Sequence, residues 1–217
     1  MNIAAIAERD PYKIGHDHES QAPGHGEGGP ANKRVIVGFG FWIFLLSDII
    51  MFAAFFAAYA VLVTAQAGGP GPADLFDLRN VQIETACLLA SSFTCGMAMI
   101  AAERAHMLRA QVWLLLTGLL GTAFLALEVH EFATMIGKGA GPDRSAFLSA
   151  FFALVGCHGL HITGGLLWLG TMMAQLFAKG FAPHIMRRML CFSLFWHALD
   201  IIWVALFTVV YILGVQA

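Results

Sequence analysis

A chain of 217 residues that is 59 % hydrophobic, 12 % charged and has a mean hydropathy of +0.73 is too apolar for a soluble domain, in which about a quarter of the residues carry charge. Its formal net charge of -2 offers no basic surface for a nucleic acid. The composition is that of an integral membrane protein.

Residues 1–34 differ in kind from the rest. The stretch GHDHESQAPGHGEGGPANKR is rich in Gly and His and holds no apolar run, so it reads as a disordered tail without the apolar centre of a cleaved signal peptide. His16, His18 and His25 have no folded scaffold there to organise them around a metal.

Residues 35–217 contain five stretches of the length and apolarity that a transmembrane helix needs, about 20 residues each. They cover residues 35–66, 81–102, 110–136, 145–178 and 189–214. Several are long enough to imply tilt or ends beyond the lipid. The connections AGGPGPADLFDLRN, ERAHMLR, GKGAGPD and KGFAPHIMRR are too short to fold separately. The expected fold is therefore all-α, one bundle of five transmembrane helices. Nine Lys and Arg fall on the side of the N-terminus and three on the other, which predicts a cytoplasmic N-terminus and a periplasmic C-terminus. No internal repeat is visible, which speaks against a transporter built from repeated halves.

Small residues suggest where helices approach closely: Ala53 with Ala57 and Ala54 with Ala58 in the first span, and Gly156, Gly159, Gly164 and Gly165 in the fourth. Cys87, Cys95, Cys157 and Cys191 lie inside spans with no CxxC spacing, and read as small packed side chains.

The ionisable residues within the spans carry the functional signal, because a charge at the bilayer centre costs about 2.5 to 3.5 kcal/mol and needs a partner. At ~1.5 Å per residue, Asp48, His158, His161, His197 and Asp200 fall near mid-depth. Glu84 lies about one turn into the second span, and Glu128 and Glu131 near the outer end of the third. Three-residue spacing pairs Glu128 with Glu131, His158 with His161 and His197 with Asp200, each on one helical face. If those faces converge, they form a continuous polar seam. Three readings stand open: a hydrogen-bond network that fixes packing, a proton or ion pathway, and a metal or haem site using the histidines.

Longer motifs narrow this choice. GFWIFLLSDIIMFAAFFAAYAVLV, AGGPGPADLFDL, ETACLLASSFTCGMA, GPDRSAFLSAFFALVGCHGLHITGGLLW and LCFSLFWHALDIIWVALFTVVYILG resemble subunit III of the haem-copper respiratory oxidases, over nearly everything from residue 38 onward. Within that family the resemblance is closest to the ubiquinol-oxidising cytochrome bo branch. Mitochondrial-type members typically have seven helices, and the five here look as if the first two were missing.

The resemblance implies a subunit without catalytic residues or redox cofactor, in a proton-pumping ubiquinol oxidase of the bacterial inner membrane. Haem and copper are then expected in subunit I, with ubiquinol as the substrate of the complex. The implied partners are subunits I, II and IV and membrane phospholipids. Asp48, in LLSD, corresponds to the family's carbodiimide-reactive carboxylate, where many relatives have Glu. Glu131 matches the family glutamate of the third span, His158 and His161 the histidine motif, and Trp196, His197, Asp200 and Trp203 the final-helix motif. The alternatives are subunit III of a cytochrome c oxidase and a stand-alone proton-coupled permease.

Overall fold

Inside a bilayer the backbone has no water to bond, so each apolar stretch closes its hydrogen bonds within itself as a helix. The computed structural model describes residues 33–214, and five helices among them are long and apolar enough to cross a membrane. In chain order these are α1 (Lys33–Leu62), α3 (Leu78–Glu103), α4 (Met107–Gly137), α5 (Ala146–Lys179) and α6 (Pro183–Leu206), with a one-turn helix α2 (Pro72–Leu75) in the first connection. The last helix continues as a π-helical segment, Phe207–Leu213. The expected His/Gly-rich tail lies outside the described residues, except that Lys33 and Arg34 open α1.

The helix ends follow local chemistry. Asp77 caps α3 by accepting from the Arg79 amide at 3.0 Å, and Ser145 caps α5 by accepting from the Leu148 amide at 3.2 Å. α1 stops at Leu62, four residues short of the expected end, where turn bonds from Ala65 to Leu62 and from Gln66 to Thr64 replace the helical pattern. α6 starts six residues earlier than expected. Pro183 fits its first turn, where no amide partner is needed, and Arg188 is held by Gln175 at 2.8 Å, so these charges extend a helix rather than a loop.

Helices α1, α5, α4, α3 and α6 form a ring in that order, with α6 returning to α1 and α5 touching α6 across it. α5 and α6 thus each touch three other helices, and the buried face of α6 carries both tryptophans of the final motif. Trp196 is 1 % exposed and donates from Nε1 to Ser91 Oγ at 3.0 Å, while Trp203, fully enclosed, donates to Thr85 Oγ1 at 3.0 Å. The benzo edge of Trp196 lies where Gly121 of α4 and Gly165 of α5 lack side chains. A Cβ at either position would stand 2.9 Å from the ring.

α1 is peripheral by comparison. It buries Leu45, Phe52 and Tyr59, a stripe of every seventh residue, against α5 and α6. Ala53, Ala54, Ala57 and Ala58 are exposed, so the small residues expected to bring α1 close to its neighbours face away from the bundle. Large side chains make the contact instead. In α5 the expectation holds for Gly159 and Gly165 but not for Gly164, which faces open space. All four cysteines are free, Cys95 and Cys191 buried and Cys87 and Cys157 half-buried.

Two predictions arise from this packing. Gly165→Ala is expected to lower the thermal midpoint of the detergent-solubilised protein, and Gly164→Ala to leave it unchanged or raise it, since a helical Gly costs about 1 kcal/mol relative to Ala where nothing is in the way. α3 and α4 end in the same double hydrogen-bond motif, with the left-handed residue Ala105 (φ 55°) in one and Gly139 (φ 76°) in the other. Ala105→Gly is expected to stabilise and Gly139→Ala to destabilise, each by about 1 kcal/mol, measured in the same melts.

Candidate functional site

The ionisable residues singled out in the spans all lie in the bundle, but not in one seam. They form three groups, and no hydrogen bond or ion pair among the described residues links one group to another.

The first group lies near the end of the bundle that carries the α4–α5 connection. Glu84 of α3 is 1 % exposed and Glu128 of α4 is 2 % exposed, with Glu131 half-buried beside them, so that the three carboxyl groups are within electrostatic reach of one another. Tyr211 donates its hydroxyl to Glu131 Oε2 at 3.1 Å. A π-helical turn carries an extra residue, and this segment buries both Val210 and Tyr211. Glu128 rests against Gly159, where a Cβ would stand 2.6 Å from its Oε1. A groove of about 340 Å³ lined by Asp77, Asn80, Glu84, Glu131 and Lys138 reaches this group from the surface.

The second group joins α1 to α5, and here the two histidines share a face that meets Phe52 but do not bond each other. His158 is fully buried inside a box of rings, with Trp203 at 5.2 Å, Phe124 at 5.9 Å and Phe52 at 6.2 Å between centroids, and neither ring nitrogen has a partner among the described residues. His161, one turn on and half-buried, places Nδ1 2.7 Å from the Cys157 carbonyl of its own helix. Phe52 packs on both imidazoles. Asp48 is half-buried on α1, within electrostatic reach of Cys157, and its side chain makes no hydrogen bond among the described residues.

The third group is the pair His197 and Asp200, with Ser92 beside them. Ser92 Oγ is 2.7 Å from His197 Nδ1, and Asp200 lies within electrostatic reach of both. This group opens on the outer flank between α3 and α6, away from the ring's centre. The expected facial pairing is present here, with α3 supplying the third member.

Several of the connecting residues went unread in the sequence. Ser91, Ser92, Thr85 and Tyr211 supply the hydrogen bonds that hold Trp196, His197, Trp203 and Glu131, and Thr94 bonds Thr117 at 2.8 Å between α3 and α4. A signal was available: two tryptophans seven residues apart in an apolar span need acceptors on a neighbouring helix, and the hydroxyls of α3 have the spacing to match. Among the described residues no three His, Cys, Asp or Glu side chains converge in the arrangement a metal ion needs.

Residues 17–215 match the family model described as cytochrome c oxidase subunit III. A protein of Pseudomonas aeruginosa named cytochrome bo(3) ubiquinol oxidase subunit 3 is 49 % identical over 94 % of this chain and 94 % of its own. The quinol oxidase subunit 3 of Bacillus subtilis is 41 % identical over 81 % and 86 %, and the cytochrome c oxidase subunit 3 of Bacillus sp. strain PS3 is 39 % identical over 81 % and 84 %. With five spanning helices, a motif-bearing final helix and matches over nearly its whole length, this chain belongs to the cytochrome c oxidase subunit III family.

Proposed function

We propose that the chain is the third subunit of a ubiquinol-oxidising haem-copper complex in the bacterial inner membrane, where it stabilises subunit I and supports proton uptake without holding a redox centre. The observation that carries this reading is the 49 % identity, over almost the full length of both chains, to a relative named for ubiquinol oxidation. The histidines support the non-redox part. Aromatic rings surround His158, His161 Nδ1 lies at a carbonyl of its own helix and His197 Nδ1 lies at Ser92 Oγ, contacts that suit packing residues of a subunit without a redox centre. Haem and copper then reside in subunit I, and subunits II and IV and membrane phospholipids complete the surroundings.

The polar residues Asp48, Glu128, Glu131, His158, His161, His197 and Asp200, with Trp196 and Trp203, act in this reading as the intramembrane polar positions that help to keep five helices in register. The excess of Lys and Arg on one side supports a cytoplasmic N-terminus and a periplasmic C-terminus. A second reading, subunit III of a cytochrome c oxidase, is favoured by the Bacillus PS3 relative of that name.

Substrate choice separates the two. The complex purified through this chain is expected to oxidise ubiquinol and not reduced cytochrome c; the reverse result establishes the second reading. Complexes with and without the chain are expected to hold equal haem and copper per subunit I, and loss of one centre for each chain removed would overturn the non-redox assignment. Asp48→Asn is expected to leave the initial turnover of assembled complexes intact while shortening activity under prolonged turnover. Immediate collapse of the initial rate would instead make Asp48 a direct participant.

A further inference from the structure

Ionisable side chains in a membrane normally face the protein interior, and the third group does not. Ser92, His197 and Asp200 line a groove of about 380 Å³ on the outer flank between α3 and α6, whose other walls include Leu89, Phe93, Met97 and Ile100. Phe93 is 66 % exposed, and the next residues along α6, Ile201 and Val204, are also exposed. A histidine and an aspartate thus open near mid-depth on a surface otherwise made for lipid tails. Asp200 Oδ1 has no protein partner among the described residues, and His197 is bonded through Nδ1 alone.

Ser92 Oγ occupies the Nδ1 side of the His197 ring, and among the described residues no group bonds Nε2. An imidazole nitrogen is a donor or an acceptor in every tautomer, so the Nε2 side offers a hydrogen-bonding atom to whatever covers the flank.

We propose that this flank seats a transmembrane helix of another subunit of the complex, which places a polar side chain against His197 Nε2. Lipid tails have no hydrogen-bonding group, so a lipid-covered flank leaves Nε2 unsatisfied in hydrocarbon. The apolar rim of Phe93, Leu89 and Met97 supplies the packing that surrounds such a bond. The inference rests on the reading of the chain as one subunit of an oxidase.

The test uses the intact complex with the photoreactive residue p-benzoylphenylalanine in place of Phe93, and, in a separate sample, of the exposed Leu160 on α5. Co-purification of other subunits reports on the oxidase reading; the site of the adduct reports on this one. The expected result is a protein adduct from position 93, mapped to a spanning segment of another subunit that carries a polar side chain. Adducts with lipid alone, in complexes that contain the other subunits, overturn the proposal.

In the same complex His197→Leu is expected to increase loss of the chain during detergent washing by about threefold to tenfold, the range for one interhelical hydrogen bond in a membrane. His197→Gln, whose carboxamide keeps one hydrogen-bonding atom for Ser92 and another for the outward side, is expected to restore retention. Equal retention of all three proteins overturns the proposal. If His197→Leu fails to assemble, the adduct from position 93 decides alone.

Discussion

The bundle depends on the seating of one indole. Trp196 fills the space left by Gly121 and Gly165 and turns its single N–H to Ser91, so one side chain of α6 fixes the distances to α4 and α5 and the register against α3. In a bilayer, apolar helices gain nothing by leaving lipid for one another, and close fit together with a few satisfied polar contacts must define the arrangement. Trp203 repeats the device two turns on with Thr85, and its ring then forms a wall of the box around His158. The hydroxyls that accept from the tryptophans donate in turn to carbonyls of their own helix, Ser91 to Leu88 and Thr85 to Val81, so neither is left with an idle hydrogen.

How much of this is legible in the sequence follows from which forces are local. Span number and approximate span limits come from apolarity alone, and all five helices form where the hydropathy places them. The ends are less legible because capping and turn bonds outweigh composition there, as at Leu62 and Pro183. Facial pairs are legible only as possibilities of contact: three-residue spacing puts His158 and His161 on neighbouring surface, but Phe52 from α1 packs on both rings and no hydrogen bond joins them. His197 finds its partner in Ser92 only because α3 places that hydroxyl opposite it. Which hydroxyl of α3 meets which residue of α6 is a matter of tertiary register, invisible in one helix's periodicity.

The three polar groups differ in their surroundings. Glu84, Glu128 and Glu131 cluster beside a groove rimmed by Asp77, Asn80 and Lys138, His158 is enclosed on every side by rings, and Ser92, His197 and Asp200 open on the apolar flank. One fold thus gives similar residue types three different settings: a polar groove, a packed interior and an open apolar flank. The small hydroxyl residues of α3 serve both of its neighbours, Thr94 reaching Thr117 on α4 and Ser92 reaching α6.

The narrow contact stripe of α1 bears on the order in which the fold is completed. Its buried residues Leu45, Phe52 and Tyr59 meet α5 and α6, and its two ends are fastened by Arg34 to Glu103 at 2.6 Å and by Tyr59 to the Val210 carbonyl at 3.2 Å. Every one of these partners lies later in the chain, and Val210 lies within its last eight residues. During synthesis α1 therefore gains its partners stepwise as α3 and α5 follow it, and its contacts are complete only once α6 and the segment after it have been made.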